Sequence, residues 1–397
     1  MNERIIFHVD CNNAFLSWTA VNRLHRGSKI DIRKRYAVIG GKESERKGIV
    51  LAKSPLCKKK GVITGEPLYS ARRKCPYLEV YAPDFKIYKK YSDIMYTYLC
   101  GYSKKIERYS IDECFVDLTK KINNHNDAVK LAYRIKNDIK NNFGFTVNVG
   151  VGNNKLLAKM ASDFEKPDKV HTLFTEEVKN KMWPLKVDDL FMIGRATSKK
   201  LHELGINTIK ELANTKIDFL SRHFKSMGKK MWEFANGIDN SLVESSYGNP
   251  KSISNSMVLP YNYSNTEEIY NEIKKLSMMT GKKLRDNRMY SNNVTIWIKF
   301  SDFSRVSKQI TLDNLTNSDT DIYNNAIKMF NGLWKEDSDK KIRALCVGVS
   351  NLTDVYKVQL SLFEKKEDNN KNDELHKVIN DIKEKFGTDA INFLDKE

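Results

Sequence analysis

Three acidic residues in two apolar stretches are the strongest candidates for chemistry in this sequence. Asp112 and Glu113 are adjacent within residues 109–117, which are otherwise typical of a strand, and Asp10 ends the apolar stretch 4–10. Adjacent carboxylates that enter a core repel each other and lose hydration, so a site that keeps both ionised needs a cation and favours a third acid nearby. Oxygen ligands suit magnesium. Acids on two strands can hold two such ions about 3.5–4 Å apart for in-line phosphoryl chemistry.

Each of these two motifs has an ordinary explanation when it is taken alone. Asp10 by itself fits a turn residue at the end of a strand better than it fits a metal ligand. An Asp–Glu pair by itself usually lies on a solvated surface. The prediction of a site for two magnesium ions therefore rests on the two motifs together.

The composition of the chain favours an acidic partner. The 397 residues, enough for two to four domains, include 68 Lys and Arg against 50 Asp and Glu, which gives a formal net charge of +18. This charge favours nucleic acid first and an anionic membrane surface second. The sequence has no run of eighteen apolar residues and no signal-peptide core, so we expect a soluble, cytoplasmic protein with no membrane partner.

The cysteines and histidines of the chain give no metal-binding pattern. The six cysteines are scattered and include no Cys-x-x-Cys pair, which argues against a zinc site and against a disulfide framework. The seven histidines have no metal-ligand spacing either. We expect reduced and mostly buried thiols.

The acidic motifs and their neighbours resemble a known family. His8–Ser17 and Ser110–Glu113 are similar to the two catalytic motifs of the Y-family, or translesion, DNA polymerases, in the same order and about a hundred residues apart. Further similar segments extend to residue 363 and cover nearly all of the chain. The resemblance implies an α+β multidomain fold, a right-hand polymerase with these parts: palm at 1–10 and 77–166, small fingers at 11–76, helix-hairpin-helix thumb at 167–236, linker at 237–250 and ferredoxin-like little finger at 251–358.

The resemblance also assigns roles in the catalytic centre. It implies that Asp10, Asp112 and Glu113 bind two Mg²⁺ ions and that the backbone carbonyl of Cys11 is an extra ligand. Asn12 stands where many relatives carry another acid. That position is not one of the three ligands, so we expect activity to survive.

The resemblance implies that Phe15, five residues after Asp10, packs under the sugar of the incoming nucleotide and excludes a 2′-hydroxyl. Read without the family, the same ring is a core aromatic in a helix predicted over Ala14–Leu24.

Two lysines would contact the triphosphate of the nucleotide. Lys58 replaces the family's arginine, while Pro55 replaces its tyrosine, and lysine neutralises phosphate without a bidentate fork. A solvated basic turn at Lys58 is an equally good interpretation. Lys166 is the second candidate, and Lys159 is a lesser one that also fits a solvated helix residue.

Alternating strands and helices predict that residues 1–166 form a sheet with helices on one face. One of these helices begins at a cap by Asn126. The glycines of Val147–Gly152 resemble a phosphate-cradling turn only weakly, because no Gly-Lys-Ser/Thr ending follows.

The region after Lys166 changes to a helical pattern. Residues 190–201 resemble a helix-hairpin-helix, whose turn at Gly194 would direct backbone amides at a DNA phosphate without reading sequence. Met192 stands where a first glycine is usual, so we expect a less tight turn. Residues 224–230 form a looser second copy. An ordinary helical pair capped by Gly205 fits about as well.

The last folded region shows the order βαββαβ, which is typical of a ferredoxin-like domain. By the resemblance its sheet lies along DNA, and Lys251, Arg305 and Lys308 are the candidate contacts. Ordinary solvated basic residues on a sheet are the alternative.

The final segment adds a motif for a protein partner. Gln359, Leu360, Leu362 and Phe363 resemble the peptide with which bacterial DNA polymerases bind the sliding clamp. Residues 364–397 are charged and rich in Asn, and we assign them no function.

The sequence therefore predicts a monomeric, template-directed and magnesium-dependent DNA polymerase for translesion synthesis. Its partners would be primer–template DNA, deoxynucleoside triphosphates and the replication sliding clamp. One alternative is a catalytically idle relative that binds DNA or recruits the clamp. A second is a two-metal nuclease, which would need neither Phe15 nor the triphosphate lysines.

Overall fold

The computed structural model describes residues 3–122, 124–245, 248–336, 338–355 and Val378. The chain divides into two compact units, residues 1–249 and 250–397, each with a core of its own. We describe the units separately, as unit 1 and unit 2.

A five-stranded sheet of order β5-β6-β1-β7-β8 forms the centre of unit 1. β1 is antiparallel to both β6 and β7. The sheet strands are β1 (Ile6–Cys11), β5 (Ile106–Arg108), β6 (Glu113–Asp117), β7 (Val147–Gly152) and β8 (Val170–Leu173), and the helices in this part of the chain are α1 (Ala14–His25), α4 (Phe85–Cys100), α5 (His125–Phe143) and α6 (Lys155–Asp163).

Helices cover both faces of this sheet, so the prediction of helices on one face is wrong. Val9 and Val149 lie in one core with residues of α1, α4 and α5. On the opposite face, Ile6 packs with Ala158 of α6. A side chain at Gly150 would place Cβ 2.0 Å from the carbonyl oxygen of Ala158, so the glycine allows α6 to lie directly on the sheet. The glycines of β7 therefore serve packing.

The cap of α5 also differs from the prediction. Asn124, rather than Asn126, is the N-cap, and its side-chain oxygen accepts a hydrogen bond of 2.8 Å from the backbone N–H of Asp127. Asn126 lies within the first turn of the helix. Both residues are asparagines, but the N-cap must precede the first helical residue, His125.

A three-stranded sheet of order β3-β2-β4 stands beside the larger one. β4 pairs with β2, although the predicted fingers end at residue 76, so this small sheet extends past that boundary. Likewise, β8 joins the large sheet although the predicted thumb begins at residue 167. Its elements are β2 (Ala37–Gly40), β3 (Val50–Lys53), α2 (Pro55–Lys59), α3 (Leu68–Lys74) and β4 (Glu79–Tyr81).

The remainder of unit 1 is helical. A third core is formed by α6 together with α7 (Arg195–Glu203), α8 (Ile209–Asn214), α9 (Ile217–Phe224) and α10 (Ser226–Ala235). Gly228 of α10 lets that helix approach α9, because a Cβ there would lie 2.5 Å from the backbone of Leu220. One residue, Lys225, joins α9 to α10.

The segment after α10, predicted as a polar linker, is packed against unit 1 as far as residue 245. Val243 is 6% exposed and lies in a cluster with Ile6, Phe115 and Ala158. The Glu244 backbone N–H donates a hydrogen bond of 3.1 Å to Glu107. These contacts make residues 237–245 part of the unit rather than a free connection.

Unit 2 has the predicted βαββαβ order. Its antiparallel sheet has the order β11-β10-β12-β9, and the two helices pack on one face. The strands are longer than predicted, and β10 is joined to β11 by a short hairpin. The elements are β9 (Ser252–Tyr263), α11 (Thr266–Asp286), β10 (Tyr290–Phe300), β11 (Arg305–Thr316), α12 (Asp319–Asn331) and β12 (Ile342–Thr353).

Within the described ranges, no helix combines the length and the apolar character needed to cross a membrane.

Candidate active site

The sheet of unit 1 brings the three predicted acids together. Asp10, near the end of β1, is the direct cross-strand partner of Glu113, the first residue of β6. Asp112 precedes that strand, and its carbonyl oxygen accepts a hydrogen bond of 2.9 Å from the Cys11 N–H. Residues opposite each other in an antiparallel pair have Cβ atoms about 4.5–5.5 Å apart. The backbone therefore places all three carboxylates at one end of the sheet.

Two lysines near α6 neutralise these acids. Lys159 Nζ lies 3.0 Å from Glu113 Oε1 and 4.0 Å from Asp10 Oδ2, and its side chain is 10% exposed. Lys166 Nζ binds Asp10 and also lies 2.8 Å from Asp163. The cations that compensate the acids in this structure are thus ammonium groups.

The electrostatic environment differs among the three acids. Burial raises the pKa of Asp10 although Lys166 opposes the shift, and burial together with the charge of Glu113 raises the pKa of Asp112. For Glu113, burial is outweighed by the nearby His8 ring and the charge of Lys159, which lower its pKa to about 2. Asp10 is 5% exposed, whereas Asp112 and Glu113 are half-buried.

The donor set fits magnesium in chemistry and in backbone placement. Among the described residues, no three His, Cys, Asp or Glu side chains are arranged to hold a metal ion together. In this arrangement Lys159 pairs with Glu113 and Lys166 pairs with Asp10. Three hard oxygen donors on adjacent backbone positions are nevertheless the ligands that Mg²⁺ prefers. Asp10, Asp112 and Glu113, with the Cys11 carbonyl, would hold such ions after their side chains rotate from the lysines.

The sequence analysis missed His8 as a site residue, and Lys159, which it named only as a lesser candidate, is buried beside the acids. His8 Nδ1 lies 2.8 Å from Ser162 Oγ, and its Nε2 lies 3.5 Å from Glu113. The ring is fully buried, which lowers its pKa. His8 and Asp10 are two residues apart on one strand and so lie on one face. The spacing of Lys159 and Asp163 did not reveal the burial of the lysine, because an i,i+4 ion pair is also typical of an exposed helix face.

Asn12 is buried and hydrogen-bonded to neighbouring segments of the chain. Its amide nitrogen donates a hydrogen bond of 3.0 Å to Asn148, and its oxygen accepts one of 2.9 Å from the backbone of Asp168. The side chain thus joins β7 to the segment after α6. This structural role accounts for a buried asparagine at this position.

Phe15 begins an aromatic cluster at the start of α1. Its ring is half-buried and stacks on Tyr88 with centroids 4.4 Å apart and an angle of 10°, while Phe85 meets it edge-on at 5.9 Å. Asn13, just before α1, has a left-handed backbone with φ of 52°. Tyr88 thus packs against the Phe15 ring, and part of the ring remains exposed to solvent.

Lys58 lies on the exposed surface of α2. Pro55 is the first residue of that helix, after the cap Ser54, and a proline is favourable there because its missing N–H has no helical partner. Lys53 of β3 was missed by the sequence analysis. Burial and the nearby charge of Lys58 lower its pKa.

The predicted helix-hairpin-helix turn precedes α7. Gly194 is the N-cap of α7 and is exposed, so the unpaired N–H groups of its first turn face outward. Met192 has a left-handed backbone with φ of 76°, a conformation that favours glycine. Met192 therefore adopts this turn at a cost in backbone strain.

The basic candidates of unit 2 lie on different faces of its sheet. Arg305 lies on the open face, where its guanidinium is 4.4 Å from the ring centroid of Trp297. Lys308 pairs with the buried Ile296, and its Nζ approaches Gly332 at the end of α12. An odd separation along a strand reverses the side chain, so Lys308 faces the helices and does not join Arg305. Lys251 is exposed just before β9.

The predicted clamp-binding residues Gln359, Leu360, Leu362 and Phe363 lie outside the described residues.

Three family profiles match the chain. Residues 9–163 match the impB/mucB/samB family, residues 188–239 match the thumb domain of DNA polymerase-iota, and residues 250–362 match the C-terminal domain of the impB/mucB/samB family.

Relatives match over almost the whole length of the chain. The DNA polymerase IV of Clostridium acetobutylicum is 46% identical over 98% of this chain and 97% of the relative. The DNA polymerase IV of Acetivibrio thermocellus is 34% identical over 97% and 95%, and DNA polymerase IV 2 of Bacillus subtilis is 33% identical over 98% and 94%.

Solved structures show the same fold. A Y-family DNA polymerase chimera, Dbh-Dpo4(243-245)-Dbh, has a TM-score of 0.77 at 24% identity and covers 87% of this chain and 98% of that chain. An insertion ternary complex of Dbh DNA polymerase has a TM-score of 0.60 at the same identity and coverage. The chain therefore belongs to the Y-family of DNA polymerases and is a translesion, DNA-directed DNA polymerase of the DNA polymerase IV group.

Proposed function

We propose that Asp10, Asp112 and Glu113 form the catalytic centre of this polymerase and bind two Mg²⁺ ions for template-directed nucleotidyl transfer. The observation that carries the proposal is the cross-strand pairing of Asp10 with Glu113, next to the hydrogen bond between Cys11 and Asp112. When bound, such ions lower the pKa of the primer 3′-hydroxyl and stabilise charge at the α-phosphate.

The residues of the chain position the reactants. The strand ends hold the three carboxylates, and the backbone at Cys11 holds a further carbonyl oxygen. Lys166, which is 38% exposed in its side chain, can exchange Asp10 for a phosphate of the nucleotide. Lys58, with Lys53 beside it, would neutralise the same triphosphate from the small sheet.

Contacts to the sugar and to DNA complete the proposal. Phe15 would pack against the deoxyribose and exclude a 2′-hydroxyl. The first turn of α7 after Gly194 would hold a DNA phosphate by backbone N–H groups, which carries no sequence information. Lys251 and Arg305 would contact the backbone of the primer–template from unit 2.

We further propose that Gln359, Leu360, Leu362 and Phe363 bind the sliding clamp and that the protein works on the chromosome in the cytoplasm as a monomer. The sequence of the peptide and its position directly after the last domain support the first proposal. Primer extension by truncated chains, measured with and without the loaded clamp, tests it.

Replacing Asp112 by asparagine tests the catalytic proposal. The variant keeps the size of the side chain but removes one anionic ligand, so primer extension with Mg²⁺ and dNTPs should fall by at least about a hundredfold. Binding to primer–template, measured by fluorescence anisotropy, should change little.

The matched control is Asp117→Asn, which changes the same residue type at the other end of β6 and should extend primers normally. An Asp112→Asn variant that extends primers at the normal rate would contradict the proposal. The same assay separates the rival functions, because a nuclease shortens the primer and an idle DNA-binding protein leaves it unchanged.

A further inference from the structure

We propose that the β10–β11 hairpin of unit 2 carries a stacking platform for one unpaired base of the template strand. The platform consists of the ring of Phe303 and the two cations over it, Lys299 and Arg343. It deepens the proposed function and rests on it, because an unpaired template base is present only if the chain works on primer–template DNA.

The hairpin holds Phe303 in a fixed and unusual position. Its backbone φ is 67°, a left-handed conformation that is unfavourable for a residue with a side chain. The turn is closed by a hydrogen bond of 3.0 Å from the Phe303 N–H to the Phe300 carbonyl, and Asp302 accepts one of 2.8 Å from the Ser304 N–H. A strained residue that its surroundings hold in place is typical of a functional position.

The ring is exposed where a hairpin normally has polar residues. Phe303 is 61% exposed, so its burial contributes little to the core. Lys299 Nζ lies 5.0 Å and Arg343 Cζ lies 4.7 Å from the ring centroid. Cations at this distance are attracted to the face of the ring and hold it in place.

The charge around the ring indicates an anionic ligand. Residues 299–305 and 340–343 contain five basic residues against one acid, Asp302, which is itself paired with Lys340 at 2.9 Å. On the same open face of the sheet, the guanidinium of Arg305 is fixed over Trp297. A ligand that is both anionic and flat would satisfy the cations and the ring at once.

A nucleotide base next to its phosphates has these properties. In a duplex, each base is covered by its neighbours and offers only edges and phosphates to a protein. An unpaired base presents a free π-face, and aromatic rings beside basic grooves bind single strands in this way. The exposed ring therefore points to the unpaired part of a template, while Arg305 and Lys251 suit the phosphates of either form.

The test compares two DNA ligands with the full chain. One is a labelled primer–template with a single-stranded 5′ template overhang, and the other is the same duplex with blunt ends. Without nucleotide, Phe303→Ala should weaken binding to the overhang DNA by about fivefold to tenfold, the lower end of the range for stacking of one base. Binding to the blunt duplex should stay unchanged, and Phe303→Trp should keep the affinity for both ligands.

Tyr261→Ala is the matched control, because Tyr261 is another aromatic residue of unit 2 that is 51% exposed. It should bind both DNAs like the unchanged chain. An equal loss on both ligands in Phe303→Ala, or no loss on either, would overturn the platform. The binding assay contains no nucleotide, so its result does not depend on catalysis. A result that contradicts the platform is therefore distinguishable from one that contradicts the catalytic centre, which would be normal primer extension by Asp112→Asn.

Discussion

Lys159 and Lys166 bind the same group of acids but differ in their freedom to leave it. The side chain of Lys159 is 10% exposed, and it lies between Glu113 and Asp10. The side chain of Lys166 is 38% exposed, and both lysines also contact Asp163. Moving a buried ammonium away from its carboxylates exposes unpaired charges, whereas a half-exposed one can move with less cost. Lys166 can therefore leave Asp10 at a lower cost than Lys159 can leave Glu113, which suits the proposed role of Lys166 at the triphosphate.

Phe15→Ala tests the role of the aromatic ring at the sugar position. If the ring excludes the 2′-hydroxyl, its removal should raise the relative kcat/KM for ribonucleotides over deoxyribonucleotides by at least about tenfold, because a single steric clash is worth roughly 1.4 kcal/mol or more. Single-nucleotide incorporation with matched dNTP and rNTP measures this ratio.

Phe85→Ala is the control for Phe15→Ala. Phe85 is 59% exposed and meets Phe15 edge-on at 5.9 Å, so its loss loosens the same aromatic cluster but leaves the Phe15 ring present. Sugar selection should remain normal in this variant. If Phe15→Ala also selects sugars normally, the ring is a packing residue of α1.

Individual residues could be predicted where they belong to a recognisable sequence motif. They were missed where only the folded structure brings them close to the site. The acids of the centre and Lys166 follow from the sequence because each belongs to a motif that resembles one in the family. Lys53 could not be found in this way, since its proximity to Lys58 depends on how β3 and α2 are joined. Lys308 stays a prediction as a DNA contact, and its spacing of three from Arg305 already places the two side chains on opposite faces of the sheet.

At the level of elements, β7 and α6 decide how the centre is assembled. Gly150 and Gly152 allow α6 to approach the sheet so closely that a Cβ at either position would lie under 3.0 Å from its backbone. This contact brings Lys159 and Ser162 to the face that carries His8 and Asp10. The elements themselves were largely predictable from periodicity, but this use of the glycines was not, because the sequence pattern does not state which face a helix covers.

Val243→Ala tests whether residues 237–245 belong to unit 1. The side chain is 6% exposed among Ile6, Phe115 and Ala158, so removing two methyl groups should cost about 1–2 kcal/mol by loss of burial and the cavity left behind. Hydrogen exchange measured by mass spectrometry should rise about fivefold to thirtyfold in a peptide from β6. A peptide from β10, in unit 2, should be unaffected.

Leu242→Ala is the control for this element, since the neighbouring Leu242 is 65% exposed. Its effect should remain within about 0.5 kcal/mol, as is usual for exposed positions. Unchanged exchange in β6 after Val243→Ala would mean that the segment is a free linker, as its polar sequence suggested.

The whole chain combines two separately cored units with a strong positive charge. The charge of +18 and the basic candidates in both units suit a partner that runs along the protein, as DNA does. Composition alone indicated this partner, and the match of relatives over 98% of the chain agrees with it. The boundaries between domains were harder to predict, because β4 and β8 join sheets by hydrogen bonds with strands far away in sequence.

Truncation after Val355 tests how the chain is recruited to replicating DNA. The last strand, β12, ends at Thr353, so the shortened chain keeps all the strands and helices named above but lacks the predicted clamp-binding peptide. On a short linear primer–template without clamp, its extension rate should equal that of the full chain. Addition of the loaded sliding clamp should stimulate the full chain and leave the truncated chain unchanged.

A second truncation, after Phe363, separates the peptide from the charged segment that follows it. This chain ends with Gln359–Phe363 and should recover the stimulation, because the apolar Leu362 and Phe363 would fill a pocket that the charged residues 364–397 do not need to reach. Replacing Gln359 and Phe363 by alanine in the full chain should act like the shorter truncation. Stimulation that persists without residues 356–397, or that is lost when only residues 364–397 are removed, would place the clamp contact elsewhere in the chain.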